Sequence, residues 1–163
     1  MKSIPAGLAV LGAGIAVASP LTSAGAQSPG PRRITLVEHN KGASSGFVDN
    51  PPAITRRWPA LSPGDILTAS MPLFDATNRT RRGRSHVHCT VTRGGTEKRA
   101  DALCTGVFAL GDGQISLVTV LHGNPEVISG IVTGGDGAYT GARGTFRSQN
   151  TRTGANDNIT LLP

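Results

Sequence analysis

From Asp65 to the C-terminus, short runs of β-branched and apolar residues recur at roughly ten-residue spacing, each bounded by a turn signal. The runs are Asp65–Leu73, Arg84–Arg93, Arg99–Leu110, Gln114–His122, Glu126–Thr133, Gly144–Gln149 and Asn156–Leu162. An earlier run, Ile34–Glu38, precedes a loop of about twenty residues in which Pro51-Pro52, Trp58-Pro59 and Ser62-Pro63-Gly64 act as breakers. This rhythm is too short for helices, and turns this tight join antiparallel neighbours. Eight antiparallel strands fit an up-and-down barrel, which removes exposed sheet edges by closing; a two-sheet sandwich is the structural alternative. The chain has 22 Gly and 11 Pro, enough punctuation for many short strands. Its charged fraction of 16% is too low for a long helical bundle or coiled coil. Its Val, Ile and Leu content is too high for a wholly disordered chain. At 163 residues the expectation is one domain.

The N-terminus reads as an address. Met1 and Lys2 open it, an apolar run extends from Ile4 to Ala18, and small residues lead to Ala24-Gly25-Ala26. A charged start, a short apolar stretch and a small-x-small site mark a secretory signal peptide over 1–26, cleaved after Ala26. Export then leaves a strand and Pro-rich loop over 27–62 and the main barrel over 63–163, together one domain, with no membrane span after cleavage. Removing Lys2 lowers the formal net charge from +6 to +5.

An exported chain with two cysteines favours a bond between them. Val87, Cys89 and Val91 alternate with His86, His88 and Thr90, and Gly94-Gly95 then signals a turn. If Cys89 faces Cys104 across an antiparallel hairpin, 91 faces 102 and 93 faces 100, and both cysteines lie on one face. The expectation is a Cys89–Cys104 disulfide. A CxxC redox motif is absent from the sequence.

One run is recognisable. Pro63-Gly64-Asp65, Leu73-Phe74-Asp75, Gly83 and Cys89 are followed by Gly111-Asp112-Gly113-Gln114-Ile115-Ser116 and Val132-Thr133-Gly134-Gly135. Gly137-Ala138-Tyr139-Thr140-Gly141-Ala142-Arg143-Gly144 completes it. This resembles the allene oxide cyclase and dirigent superfamily, particularly its secreted bacterial members. The resemblance spans about 63–163 and implies an all-β, eight-stranded antiparallel calycin-like barrel with one open end and an apolar cavity. It also implies a small hydrophobic ligand and a possible homo-oligomer. Read from the residues, Gly135-Asp136-Gly137 has the glycines of a turn needing positive φ, and Gly141 and Gly144 suit a bulge or a close backbone approach. The run lacks the Gly-Lys-Ser/Thr ending of a phosphate loop and the spacing of a dinucleotide fingerprint.

The resemblance implies a lumen carboxylate at Glu38, with Asn40 completing a Glu-x-Asn pattern on the first strand. Met71 stands where the plant enzymes place a water-binding asparagine, and their tyrosine falls at or next to His122. Cys89 matches a plant cysteine, whereas Cys104 has no plant counterpart. Glu38, His122 and Asn40 are therefore the candidate catalytic residues, and Met71 and Cys89 the candidate ligand contacts. A carboxylate in an apolar lumen has its pKa raised, which suits proton transfer near neutrality, and an imidazole titrates in the same range.

His86 and His88 share a face but have Val107 and Thr105 opposite, so no metal site is expected. No Gly-x-Ser-x-Gly elbow occurs. Arg79, Arg81, Arg82 and Arg84 form a basic turn without interleaved aromatic residues, which reads as a solvated hairpin tip and implies no nucleic acid partner. Nothing in the residues calls for a cofactor. The expected function is a secreted barrel that binds a small hydrophobic molecule and steers its cyclisation, isomerisation or stereoselective coupling. The alternatives are a non-catalytic carrier and a structural barrel of the cell envelope.

Overall fold

The computed structural model describes residues 30–50 and 60–163. The expected signal peptide and the breakers Pro51-Pro52 and Trp58-Pro59 lie outside the described residues. The strands are β1 (Arg32–His39), β2 (Ser44–Val48), β3 (Ala60–Leu61), β4 (Ile66–Asp75), β5 (Arg81–Arg93) and β6 (Gly95–Thr96). They continue as β7 (Asp101–Leu110), β8 (Gly113–His122), β9 (Val127–Gly135), β10 (Gly144–Thr151) and β11 (Gly154–Leu161). Among the described residues the one helical element is a 3-10 turn at Gly137–Tyr139.

The sheet order is β1-β11-β10-β9-β8-β7-β5-β4-β2, and a further β1–β4 pairing closes it. Eight antiparallel strands therefore form a closed barrel, and the sandwich is excluded. β2 lies outside that ring as an extension beside β4, while β3 and β6 make a small separate ladder.

Closure is made by few residues. On one side β4 pairs through Leu73–Asp75 with Leu36–Glu38 of β1, and through Ile66–Ser70 with β2. Between the two pairings, residues 39–43 stand opposite only Met71 and Pro72. Pro72 has no N–H to give to a ladder, and it sits where the neighbouring strand is already interrupted. Gly42 takes φ 82° in the intervening turn. The Arg84 guanidinium holds that turn, donating from Nη2 to the carbonyls of Gly42 and Ser70 (both 3.1 Å) and from Nε to Ser70 Oγ (3.0 Å). Arg84 is thus a brace rather than part of a solvated tip. β2 falls in the stretch expected to be loop. Its Ser44-Ser45-Gly46 start lacks β-branched residues, and all five of its residues are exposed, so no alternation marks it.

Side chains alternate in and out of the barrel with the strand period of two. At one end the lumen is filled. Leu73, Ile115 and Ile159 are fully buried there, beside Leu36, Phe108, Leu117, Val132 and Phe146. Each such side chain contributes about 1.5–3 kcal/mol by leaving water. Tyr139 caps this end: its hydroxyl donates to Asp112 Oδ1 at 3.0 Å, and the Arg32 guanidinium lies 5.1 Å from its ring centre. In the glycine-rich run Gly137 has the positive φ expected of its turn and Gly144 makes the expected close approach, to the Thr160 carbonyl, whereas Gly135 lacks positive φ and Gly141 has positive φ with open space beside it.

The disulfide joins Cys89 and Cys104, which are direct register partners with Cα atoms 4.0 Å apart. Val91 faces Ala102 as expected, but Arg93 faces Asp101 rather than residue 100, because a bulge lies between Val91 and Arg93.

Candidate functional site

The opposite half of the lumen is open, with a cavity of about 190 Å³. β4 contributes Ala69 and Met71, β5 contributes Val87 and Cys89, and β7 contributes Cys104 and Phe108. β8 and β9 add Leu117, Leu121 and Ile128, and β10 adds Phe146, Ser148 and Asn150. Alternation on each strand turns these residues inward, which makes the walls aliphatic, aromatic and sulfur-lined. The two carboxyl side chains in the lining are Glu38 from β1 and Asp157 from β11.

The β1–β11 register sets Leu36 opposite Asp157 and Glu38 opposite Ala155, so the two acids are diagonal neighbours on one face. Diagonal positions lie within reach of long side chains. Both are buried, Glu38 at 7% and Asp157 at 1% exposure. Ser148 is the direct partner of Asp157 on β10 and hydrogen-bonds its carboxyl; fully buried Ser85 does the same for Glu38. Asp157 Oδ2 has no hydrogen-bond partner.

Burial is the main cause of the pair's altered acidity. It pushes Glu38 above the usual carboxylate range, against the opposing hydrogen bond from Ser85. Burial, and then the neighbouring Glu38 charge, push Asp157 up to about 7, opposed by Ser148. Two buried carboxyls at diagonal positions resist double ionisation, so they titrate as a pair. Such a pair holds an acid and its conjugate base together near neutral pH.

The sequence-based candidates separate. Glu38, Met71 and Cys89 line the cavity. His122 does not: its side chain is 76% exposed at the end of β8, with Nδ1 3.0 Å from Asp101 Oδ1. Asp101 is also gripped by Arg93, through Nε at 2.6 Å and Nη2 at 2.9 Å, and these contacts draw its carboxyl down to about 2. On β8 it is Leu121, one residue earlier, that turns inward, and a one-residue step reverses the face. Glu38 and His122 therefore do not form a pair. Asn40 is exposed in the turn after β1, where its N–H donates to the Thr153 carbonyl at 2.8 Å, and it is not part of the cavity lining.

Asp157, Ser148, Ser85 and Asn150 were not singled out from the sequence. A signal existed for Asp157: Ala155, Asp157, Ile159 and Leu161 share one parity, so an acid interrupts an apolar inward row. Among the described residues no group of three or more His, Cys, Asp or Glu side chains converges on a metal position. Among them, too, no helix is long and apolar enough to cross a membrane.

No protein-family model matches the sequence, and no curated protein matches it. Solved structures do match in shape. A pyocyanin demethylase superposes with a TM-score of 0.65 at 18% identity, over 80% of this chain and 99% of that one. A pterocarpan synthase dirigent protein gives 0.57 at 16% identity, over 81% and 93% of the two chains. The Diels–Alderase AbmU from Streptomyces koyangensis gives 0.52 at 12% identity, over 80% of this chain and 63% of that one. With its closed eight-stranded ring and one filled end, the chain has the allene oxide cyclase/dirigent-like barrel fold.

Proposed function

We propose that this barrel binds a small apolar molecule in the open half of its lumen and that Glu38 and Asp157 move a proton on it. The outcome is a cyclisation, an isomerisation or a stereoselective coupling. The observation that carries the reading is a pair of buried carboxyl groups, one oxygen unpartnered, in a largely apolar cavity. One carboxylate removes a proton from one atom of the ligand, and the carboxyl so formed returns it to another atom. Protons in and out are equal, so a cyclisation or isomerisation needs no oxidant, and a coupling balances here as the addition of one molecule to an unsaturated partner. The apolar walls restrict the ligand to conformers close to ring closure, which lowers the entropic part of the barrier. Neighbours named as a pterocarpan synthase and a Diels–Alderase favour ring-forming chemistry.

The experiment is mass spectrometry of molecules that co-purify with the protein, followed by incubation of the recovered compound with fresh protein. The expected result is conversion to an isomer or coupled product of defined handedness. Glu38→Gln or Asp157→Asn should slow it by about 10²–10⁴-fold, the usual contribution of a positioned acid or base. Unchanged rates in both variants would remove the acid/base role.

Met71 at the position of the family's asparagine, and His122 outside the lumen, favour a second reading as a carrier. A carrier would release the recovered compound unchanged. Export with cleavage after Ala26 belongs to the same proposal. Protein isolated from the medium should begin at Gln27, and a retained Met1 would contradict this. Self-association belongs to it as well: Leu103, Val120 and Ile131 are exposed on the neighbouring strands β7, β8 and β9. Sedimentation should find a species heavier than the single chain.

A further inference from the structure

Resting on that reading of the cavity, we propose that its ligand carries a positive charge at its polar end, as a protonated amine or similar organic cation seated against Glu38 and Asp157. Among the described residues lining the cavity there is no lysine, arginine or histidine. Cys89 and Cys104 are joined to each other, so the two carboxyls are the ionisable groups of this lining. The residues facing them from neighbouring strands are Leu73 and Met71 on β4, Ser85 on β5 and Ser148 on β10, none of which titrates. An anionic ligand end would meet like charge with no cationic partner, and a low-dielectric site strengthens that repulsion.

The unpartnered Asp157 Oδ2 points the same way. The residue is 1% exposed, so this oxygen is cut off from bulk water and lacks a donor. Leaving a buried charged oxygen unpaired is costly, and an N⁺–H donor makes one of the strongest hydrogen bonds a carboxylate can accept. Ser85 and Ser148 serve the pair from the protein side, and neither brings a positive charge that would neutralise it. The whole chain carries a formal charge of +6, so the lumen has the opposite sign to the molecule. Salt screens surface charge over about 8 Å, and the buried acids set the local field.

The cavity also limits size. An apolar cavity of roughly 150 Å³ holds a benzene ring. At about 190 Å³ and open at one end, this one takes a one- or two-ring body with its charged end innermost.

Three probes of one shape test the charge: 1-naphthylmethylamine, 1-naphthalenemethanol and 1-naphthoate, titrated calorimetrically into the protein. At about pH 8 the ammonium should bind roughly tenfold or more tightly than the alcohol, with the carboxylate weakest. Near pH 5 Asp157 is protonated and the gap should narrow. Asp157→Asn combined with Glu38→Gln should abolish the gap while the alcohol still binds. Alcohol or carboxylate binding at about pH 8 as tightly as the ammonium would overturn the charge inference and leave the cavity reading standing. If none of the three binds, the cavity reading falls as well.

Discussion

Asp157 is the residue on which most depends. Its carboxyl is raised to about 7 in the folded protein, from an ordinary value of 3.8. A group whose folded pKa lies above its unfolded one favours the folded state fully at low pH and loses that contribution as pH rises through the folded value. Wild-type stability should therefore fall between about pH 4 and pH 7. Asp157→Asn should be more stable than wild type at pH 8 by about 2–4 kcal/mol, with the advantage vanishing near pH 4. Urea denaturation at the two pH values checks this, and a variant destabilised at pH 8 would refute it. The same residue marks the limit of sequence reading. Glu38 was legible because it sits in a motif that resembles a known family. Asp157 sits in no motif, and its meaning comes from being brought diagonal to Glu38 by the β1–β11 register. His122 failed for a related reason: at a strand end, one residue decides between lumen and solvent.

At the scale of elements, two devices hold the cavity's walls. β11 begins, just after the β10–β11 turn, at Gly154, which has φ 155° and lies so close to β1 that an added Cβ would meet the Glu38 carbonyl oxygen at 1.9 Å. Gly154→Ala should cost about 2–4 kcal/mol and displace the Glu38 backbone, reading out as a lower Tm together with weaker probe binding. Normal stability would contradict the close approach. The β5–β7 hairpin is closed by Cys89–Cys104, with a sequence separation of 15. A loop of that length implies about 3 kcal/mol of stabilisation in the chain-entropy model. The double Cys→Ser variant should unfold at correspondingly lower urea, and intact mass should lie about 2 Da below the dithiol form of the native protein. Strands that alternate visibly were legible to within a few residues: Gln114–His122 was expected and Gly113–His122 observed. β2 was not, since a solvent-washed strand of small residues leaves no period in the sequence.

At the scale of the whole molecule, one end of the barrel is a packed core and the other an apolar cavity with a buried acid pair. Glycine turns and alternation pointed to antiparallel strands and favoured a closed ring over a sandwich. The division of the lumen was hidden, because both halves read as the same inward apolar row. What separates them is that the row meets Leu73, Ile115 and Ile159 at one end and Glu38, Asp157 and small residues such as Ala69 at the other. The central claim is that the acid pair is the working part of this cavity. It is tested most directly by carboxyl-carbon NMR titration of Glu38 and Asp157, free and with 1-naphthylmethylamine. One carboxyl should titrate near 7 in the free protein, and the bound ammonium should draw it downward. Ordinary titration of both groups near pH 4, unmoved by the ammonium, would contradict it.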